Sequence, residues 1–222
     1  MGHENTIRNL SLLLAIIAGF CDTLTFVTVS EFSAHVTGNF IVFAYDIIKG
    51  GDSRSWIKLI TFPVFIAAII TGGWVIGKAL NKYTILLLEG IVLAVAGLLA
   101  LVLKSQHVSS IWLTYGITMP IVFAMGLQNA FGRLFSKETY GPTTVMTGNV
   151  TQAALDFWSI VKTGSGDSLR KESLKHQAIL IGGFLTGCIL GAIAGKTAGL
   201  SMVILPGIAL IIYPKKAGTG TG

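Results

Sequence analysis

Four carboxylic acids interrupt stretches that are otherwise apolar: Asp22, Asp46, Glu89 and Asp156. An acid near the centre of a bilayer costs at least about 2.5–3.5 kcal/mol, so a chain that keeps one there uses it to line a hydrated cavity, relay a proton or hold a coupling ion. These four are therefore the expected ion-coupling groups. Asp22 is centred in its apolar run, where function outweighs a purely structural hydrogen bond. Asp46 and Asp156 each lie close in sequence to a lysine, Lys49 and Lys162, so snorkelling to the interface is an equal alternative for them. Glu89 has no acidic counterpart elsewhere and Arg133 none that is basic, which leaves a pairing between the two open.

A second constellation is built on the string Val36-Thr37-Gly38-Asn39, which returns as Met146-Thr147-Gly148-Asn149. On a helix, Asn39, Val42 and Asp46 share one face, as do Asn149, Gln152 and Asp156. His35 extends the first stripe by a turn, and its counterpart is Val145, so the two copies differ chemically. Gly permits close backbone approach, while Thr or Asn can cap a helix whose first amides point outward and favour an anion. The expected solute contacts are His35, Thr37, Gly38, Asn39, Asn129, Thr147, Gly148, Asn149 and Gln152. A plain structural cap, and for His35 an interfacial side chain, are the bland alternatives. On this reading Asp46 and Asp156 lie about two turns deeper and repel an anion unless protonated.

The elements that must position these residues are apolar runs: Leu10–Val29, Leu59–Ile76, Tyr83–Leu103, Ile111–Ala130, Val145–Val161, Ala178–Ala194 and Leu200–Tyr213. With 52% apolar and only 12% charged residues, the chain departs from a soluble domain, which carries about a quarter charged residues. The lipid bilayer is its expected solvent. The first run resembles a signal peptide, but Asp22 interrupts it and no small-residue cleavage site follows, so it reads as a retained helix. Basic residues are scattered singly between the runs rather than massed, which speaks against nucleic acid and for topology signals. Cys21 and Cys188 lie within runs and have no zinc-ligand spacing. No cofactor or metal is implied. Nucleophile elbows, paired-cysteine metal sites and phosphate loops are all missing, so no enzymatic reading is favoured.

The second Thr-Gly-Asn lies 110 residues after the first, and at the same offset Ala44 maps onto Ala154 and Asp46 onto Asp156. Gly19 with Asp22 matches Gly126 with Asn129 at an offset of 107, and Gly73, Gly77 and Lys78 match Gly191, Gly195 and Lys196 at 118. The expected fold is an all-α integral membrane protein of six to eight transmembrane segments in two pseudo-equivalent halves, each with a short or broken Thr-Gly-Asn helix. The single membrane domain spans 1–216, with repeats at about 8–104 and about 109–214, and a disordered tail at 217–222. Gly73-x-x-x-Gly77 and Gly187-x-x-x-Gly191-x-x-x-Gly195 read as ridges for close helix packing, inside the fold or in a homodimer.

Two stretches carry a family resemblance: Gly19-Phe20-Cys21-Asp22 leading to His35-Val36-Thr37-Gly38-Asn39, and Gly126-Leu127-Gln128-Asn129 leading to Met146-Thr147-Gly148-Asn149. Over nearly its whole length the chain resembles the YoaK-like family, small bacterial membrane proteins grouped by a domain of unknown function. The resemblance implies the membrane fold and a bacterial cytoplasmic membrane, and brings no substrate.

Charge leaves the topology open. If every segment spans, there are eight crossings and parallel repeats; if the Thr-Gly-Asn segments enter and leave on one face, there are six and the repeats are inverted. Both arrangements place both termini inside with eleven of the sixteen Lys and Arg residues, so the positive-inside rule cannot choose. Val36 to Ile48 would be roughly 20 Å of helix against a hydrocarbon core of roughly 30 Å, which leans toward a short or broken segment. The expected function is a secondary transporter or facilitator of a small solute with an anionic or hydrogen-bond-accepting group, coupled to protons. A channel is the nearest rival, and an accessory or sensory membrane subunit is a third class, disfavoured because only Thr163–Lys175 offers a long loop.

Overall fold

The structure is a computed structural model that describes residues 2–50, 54–78, 81–107, 110–145, 147–163 and 167–218. Among them there are eight α-helices and no strand: α1 (Gly2–Val29), α2 (Gly38–Ile48), α3 (Thr61–Lys78), α4 (Thr84–Ser105), α5 (Ile111–Leu134), α6 (Thr147–Thr163), α7 (Ser168–Thr197) and α8 (Ile204–Gly218). Short 3-10 helices, Ser55–Ile60 and Gly199–Val203, lead into α3 and α8. Each of those two helices carries a proline in its first turn, Pro63 and Pro206, where the missing amide costs no helical hydrogen bond. Pro120 lies inside α5.

Five helical stretches are long and apolar enough to cross a bilayer: His3–Val29, Ser55–Lys78, Thr84–Ser105, Ile111–Leu134 and Ser168–Thr197. Gly38–Ile48 and Gly199–Tyr213 are apolar but shorter. Large apolar side chains such as Ile41, Ile70, Trp74, Trp112 and Trp158 stand exposed on the outside, where hydrocarbon rather than water is the fitting solvent. The protein is an all-α membrane protein.

Helices pair across the length of the chain. Along the α1–α7 seam, Gly183 lies against Leu12 and Ala15, Gly187 against Ile16 and Phe20, and Gly195 against Leu24 and Val27, so the two helices run parallel. A Cβ at Gly19, Gly187 or Gly191 would strike a backbone carbonyl oxygen of the facing helix, of Phe184, Ile16 or Phe20 respectively. Removing side chains there lets the backbones touch, which is how helices gain packing in a solvent as apolar as their own surfaces. Helices α3 and α5 also run parallel, with Gly126 against Phe65 and Ala68, and Gly72 against Leu127 and Ala130. Helices α4 and α8 run antiparallel, Gly90 meeting Gly207 and Leu210 while Gly97 meets Ile204. The Tyr213 hydroxyl lies 3.4 Å from the Thr6 carbonyl oxygen, so α1 begins where α8 approaches its end.

Three sequence expectations need correction. Within the chain Gly73 and Gly77 face open space, and the neighbouring Gly72 makes the internal contact, so the Gly-x-x-x-Gly ridge does not pack inside the fold. Most of Thr163–Lys175 is no loop: α7 starts at Ser168, where Asp167 caps it by accepting the Arg170 amide at 3.2 Å. The tail expected from 217 is helical through Gly218, and residues 219–222 lie outside the described residues.

Candidate functional site

Asp22 stands seven residues before the end of α1, about 10 Å by helical rise. Its Oδ1 nevertheless accepts the amides of Ala34 at 2.7 Å and His35 at 3.2 Å, so the chain doubles back beside the helix it has just left. The turn runs through Ser30 at φ +57°. Helix α2 then heads outward again: the Lys58 ammonium lies 3.4 Å from Asp46 near its far end and donates at 3.1 Å to the Ser30 carbonyl just past α1. The first Thr-Gly-Asn segment enters and leaves at one end of the helix cluster.

The second segment does the same. Gln128 and Asn129, six and five residues before the end of α5, donate to the hydroxyls of Thr143 at 3.0 Å and Thr144 at 3.3 Å. Gln128 also donates to the Leu14 carbonyl at 2.8 Å, tying α5 to α1. Asp156 on α6 accepts from Arg170 at 2.9 Å and Ser173 at 2.6 Å, both in the first turns of α7. With 11 and 17 residues, α2 and α6 rise about 16 and 25 Å, less than a hydrocarbon core of about 30 Å.

The inner ends of the two segments meet. His35 Nδ1 lies 2.7 Å from Asp22 Oδ2, and its Nε2 lies 3.1 Å from the carbonyl oxygen of Val145. The edge of the imidazole packs on Phe184 of α7, ring centres 5.5 Å apart. The Asp22 hydrogen bond raises the pKa of His35 above its ordinary value, against a downward pull from burial. Asp22 is buried, while 31% of the His35 side chain is exposed. Val145, a β-branched residue, sits at φ +31°, in the left-handed region that such residues rarely adopt.

The predicted solute contacts fall into distinct places. Asn39 is fully buried and its amide is used up by the protein: it accepts the Phe32 amide at 2.7 Å and donates to the Phe32 carbonyl at 2.8 Å and to Thr61 at 2.9 Å. Thr37 is exposed and makes no side-chain cap; the first amides of α2, on Gly38, Asn39 and Phe40, donate instead to the carbonyls of His35, Val36 and Thr37. A tight turn thus occupies the donors that were expected to face an anion. A Cβ on Gly38 would come 2.9 Å from the Phe32 ring, whereas Gly148 is open. Thr147 is exposed, and Met146 beside it lies outside the described residues. Asn149 is buried and donates to Gln177 at 2.9 Å; Gln152 donates to Asp156 at 2.9 Å.

Both polar stripes therefore face the start of the following helix, and the acids Asp46 and Asp156 lie toward the outer ends of α2 and α6 rather than deeper. Their partners are Lys58 and Arg170, not the sequence neighbours Lys49 and Lys162, because α2 and α6 are covered from the side. Lys49 lies over the Tyr45 ring instead. Glu89 is fully buried in α4 with neither carboxylate oxygen hydrogen-bonded, while Arg133 is exposed, so the possible pairing of the two does not form.

Sequence reasoning missed Glu31. It is fully buried just past α1 with both oxygens unbonded, and burial pushes its pKa up to about 7 although nearby Lys58 pulls it down. Its position at the end of an apolar run reads as interfacial, and only the fold-back buries it. Lys58, Arg170, Ser173 and Gln177 were missed as well; their role depends on which helix covers each stripe.

Open clefts lie at both ends of α1. One of about 430 Å³ is lined by residues including His3, Glu4, Lys137, Tyr140 and His176; one of about 270 Å³ is lined by residues including Thr28, Lys104, Ser110 and Ser201. Toward the end of α5, Gln128, Asn129, Arg133, Thr143 and Thr144 help enclose a pocket of about 30 Å³, room enough for a water molecule. No group of three or more metal-ligating His, Cys, Asp or Glu side chains occurs among the described residues.

No curated protein and no solved structure matches the chain. The family described as "Protein of unknown function (DUF1275)" matches it over residues 10–213, a span that takes in Asp22, His35 and both Thr-Gly-Asn segments, and the chain belongs to that family.

Proposed function

We propose that the protein is a secondary transporter or facilitator of a small solute, working at the place where the two Thr-Gly-Asn segments meet. The observation that carries this reading is the reach of His35 across to Val145 inside the helix cluster, beside a buried carboxylate. Non-helical backbone at such depth is tolerated in membrane proteins where it is enclosed by protein or lines a pathway, and short helices meeting near the midplane are the common plan of transporter sites. The clefts at the two ends of α1 support an approach from either side. An anionic solute loses its main argument at α2, whose first amides are already bonded. The class that remains is a small molecule rich in hydrogen-bonding groups.

In this reading the halves at about 8–104 and about 109–214 are inverted repeats, each of three crossings and one re-entrant segment. Support comes from the parallel α1–α7 and α3–α5 pairs and the antiparallel α4–α8 pair, the pairing that a twofold axis in the membrane plane produces. The end that holds the start of α1 then also carries Arg8, Lys78, Lys82, Lys137, Arg170 and Lys175, which makes it cytoplasmic in a bacterial inner membrane.

Thermal-shift screening of small polar solutes followed by uptake into proteoliposomes tests the proposal. Saturable uptake accelerated by solute preloaded inside the vesicles is the expected result. Flux that rises linearly with concentration and shows no such exchange would mean a channel.

A further inference from the structure

We propose that Asp22 and His35 together hold one exchangeable proton, and that this proton joins the two Thr-Gly-Asn segments. Resting on the transport reading above, it follows that the coupling ion is a proton bound at this pair.

The argument is a count of hydrogens. His35 presents one ring nitrogen to a carboxylate oxygen at 2.7 Å and the other to a carbonyl oxygen at 3.1 Å. A carbonyl oxygen only accepts, an ionised carboxylate only accepts, and a neutral imidazole has a single N–H. Both contacts can be hydrogen bonds only if the imidazole carries two protons, or if Nε2 carries one and Asp22 the other. Either way the pair holds one proton more than a neutral histidine beside an ionised aspartate. Asp22 Oδ1 already accepts the amides of Ala34 and His35, so the geometry places the proton on the imidazole.

Loss of that proton to water leaves an ionised Asp22 and one N–H to divide between two acceptors. The charge-assisted bond to Asp22 is the stronger and keeps it. Nε2 then turns a lone pair toward the lone pairs of Val145, an attraction becomes a repulsion, and the segments part. Val145 at φ +31° is consistent with this, since a strained backbone persists only while its surroundings hold it.

Other charges near the pair are few. Among the described residues, helix α1 contributes Asp22 itself and the neighbouring Cys21, near which Glu89 of α4 also lies; α7 contributes Phe184 and the Cys188 thiol, and the second segment contributes the Val145 carbonyl. Glu31, in the same loop, interacts with Lys58 instead. The partly exposed imidazole gives water a route to the proton, while Asp22 is shielded.

The test uses the full chain in lipid nanodiscs, without any solute. Spin labels placed by Thr37→Cys and Thr147→Cys, both exposed positions, with Cys21 and Cys188 replaced by Ala, report the separation of the segments. We expect a short, narrow distance distribution at pH 5 that lengthens and broadens by pH 9. In Asp22→Asn the substituted amide can donate to Nδ1, a neutral His35 can still donate to Val145, and the short distance should persist at both pH values. A wild-type distance indifferent to pH, or an Asp22→Asn distance that still lengthens, overturns the proposal. Nitrogen-15 NMR of histidine-labelled protein, with His3, His107 and His176 replaced by Gln, needs no change at the pair. An imidazolium signal from His35 at pH 5 that becomes neutral as the distance lengthens is expected, and a neutral signal at pH 5 overturns it. If the proton site behaves as described but solute uptake ignores a pH gradient, the coupling role falls and the proton-dependent joint stands.

Discussion

The two Thr-Gly-Asn segments make the same excursion with opposite distributions of charge. In the first, the inner anchor is the buried carboxylate of Asp22, and the outer acid, Asp46, is partly exposed and holds a single ammonium at 3.4 Å. In the second, the inner anchors are neutral amides, Gln128 donating to Thr143 and Asn129 to Thr144, and the outer acid, Asp156, is fully buried under Arg170, Ser173 and Gln152. The first segment carries its committed charge at the centre and the second at the rim. In the proton joint proposed above, the first segment supplies the imidazole and the second the carbonyl it reaches.

The largest effect should come from the inner anchors. Asp22→Ala strands two backbone amides and the Nδ1 side of His35 without a partner and should cost about 3–5 kcal/mol, as for removing one partner of a buried ion pair. Gln128→Ala removes a neutral group and should cost about 1–3 kcal/mol. Thermal unfolding in detergent compares the two, and equal losses would break the asymmetry.

At the outer acids the order reverses. Asp156→Asn should destabilise by about 1–3 kcal/mol through weakened charge-assisted hydrogen bonds, while Asp46→Asn should stay below about 1 kcal/mol. Asp156 adds a pH signature: burial raises its pKa, but Ser173, Arg170 and Gln152 together bring it below the ordinary value. Its stabilisation is complete above the usual carboxylate range near 3.9 and is lost as pH falls through the folded value. Unfolding midpoints measured from pH 6 to pH 3 should therefore fall less steeply in Asp156→Asn than in the wild type.

Glu31 matches Glu138 at the offset of 107, yet Glu138 pairs with Lys82 at 2.6 Å while neither oxygen of Glu31 is hydrogen-bonded, so Glu31 gives an effect of its own sign. With its folded pKa raised from 4.5 to about 7, the folded state binds the proton more tightly than the unfolded chain, and stability falls as pH rises across that window. Glu31→Gln keeps a neutral side chain in place, so its unfolding midpoint at pH 8 should exceed the wild type by a few degrees and match it at pH 5. A midpoint gap that does not change with pH would place Glu31 in water rather than inside the fold-back.

Residue patterns foretold that His35 and Val145 are counterparts, and the structure brings them into contact. Helix periodicity also placed Asn39 with Asp46, and Gln152 with Asp156, on common faces. It could not say what covers those faces, because periodicity relates residues within one helix and is silent about its neighbours. That is why Lys58 and Arg170 were overlooked as partners and Asn39 was read as a solute contact. The tie between six and eight segments had the same origin: Lys and Arg counts balance, and the six-crossing arrangement proposed above rests on the 10 Å by which Ala34 and His35 return along α1 to reach Asp22.

The α1–α7 seam has a consequence for how the protein is made. Gly187 lies against Ile16, so α1 meets its main partner only after roughly 170 further residues have been added, which at about 5–20 residues per second is on the order of ten to thirty seconds. Until α5 arrives to place Gln128 on Leu14, the ribosome has delivered a helix with a carboxylate and neither of these helical partners. Asp22 does not wait: its amide donors follow within 13 residues, so the groups that make its charge tolerable emerge with it. The Val145 contact to His35, by contrast, cannot form until the second segment has been synthesised. Assembly order thus separates the two ends of one imidazole, the first bond closing early to protect the nascent chain and the second closing late, when the halves have come together.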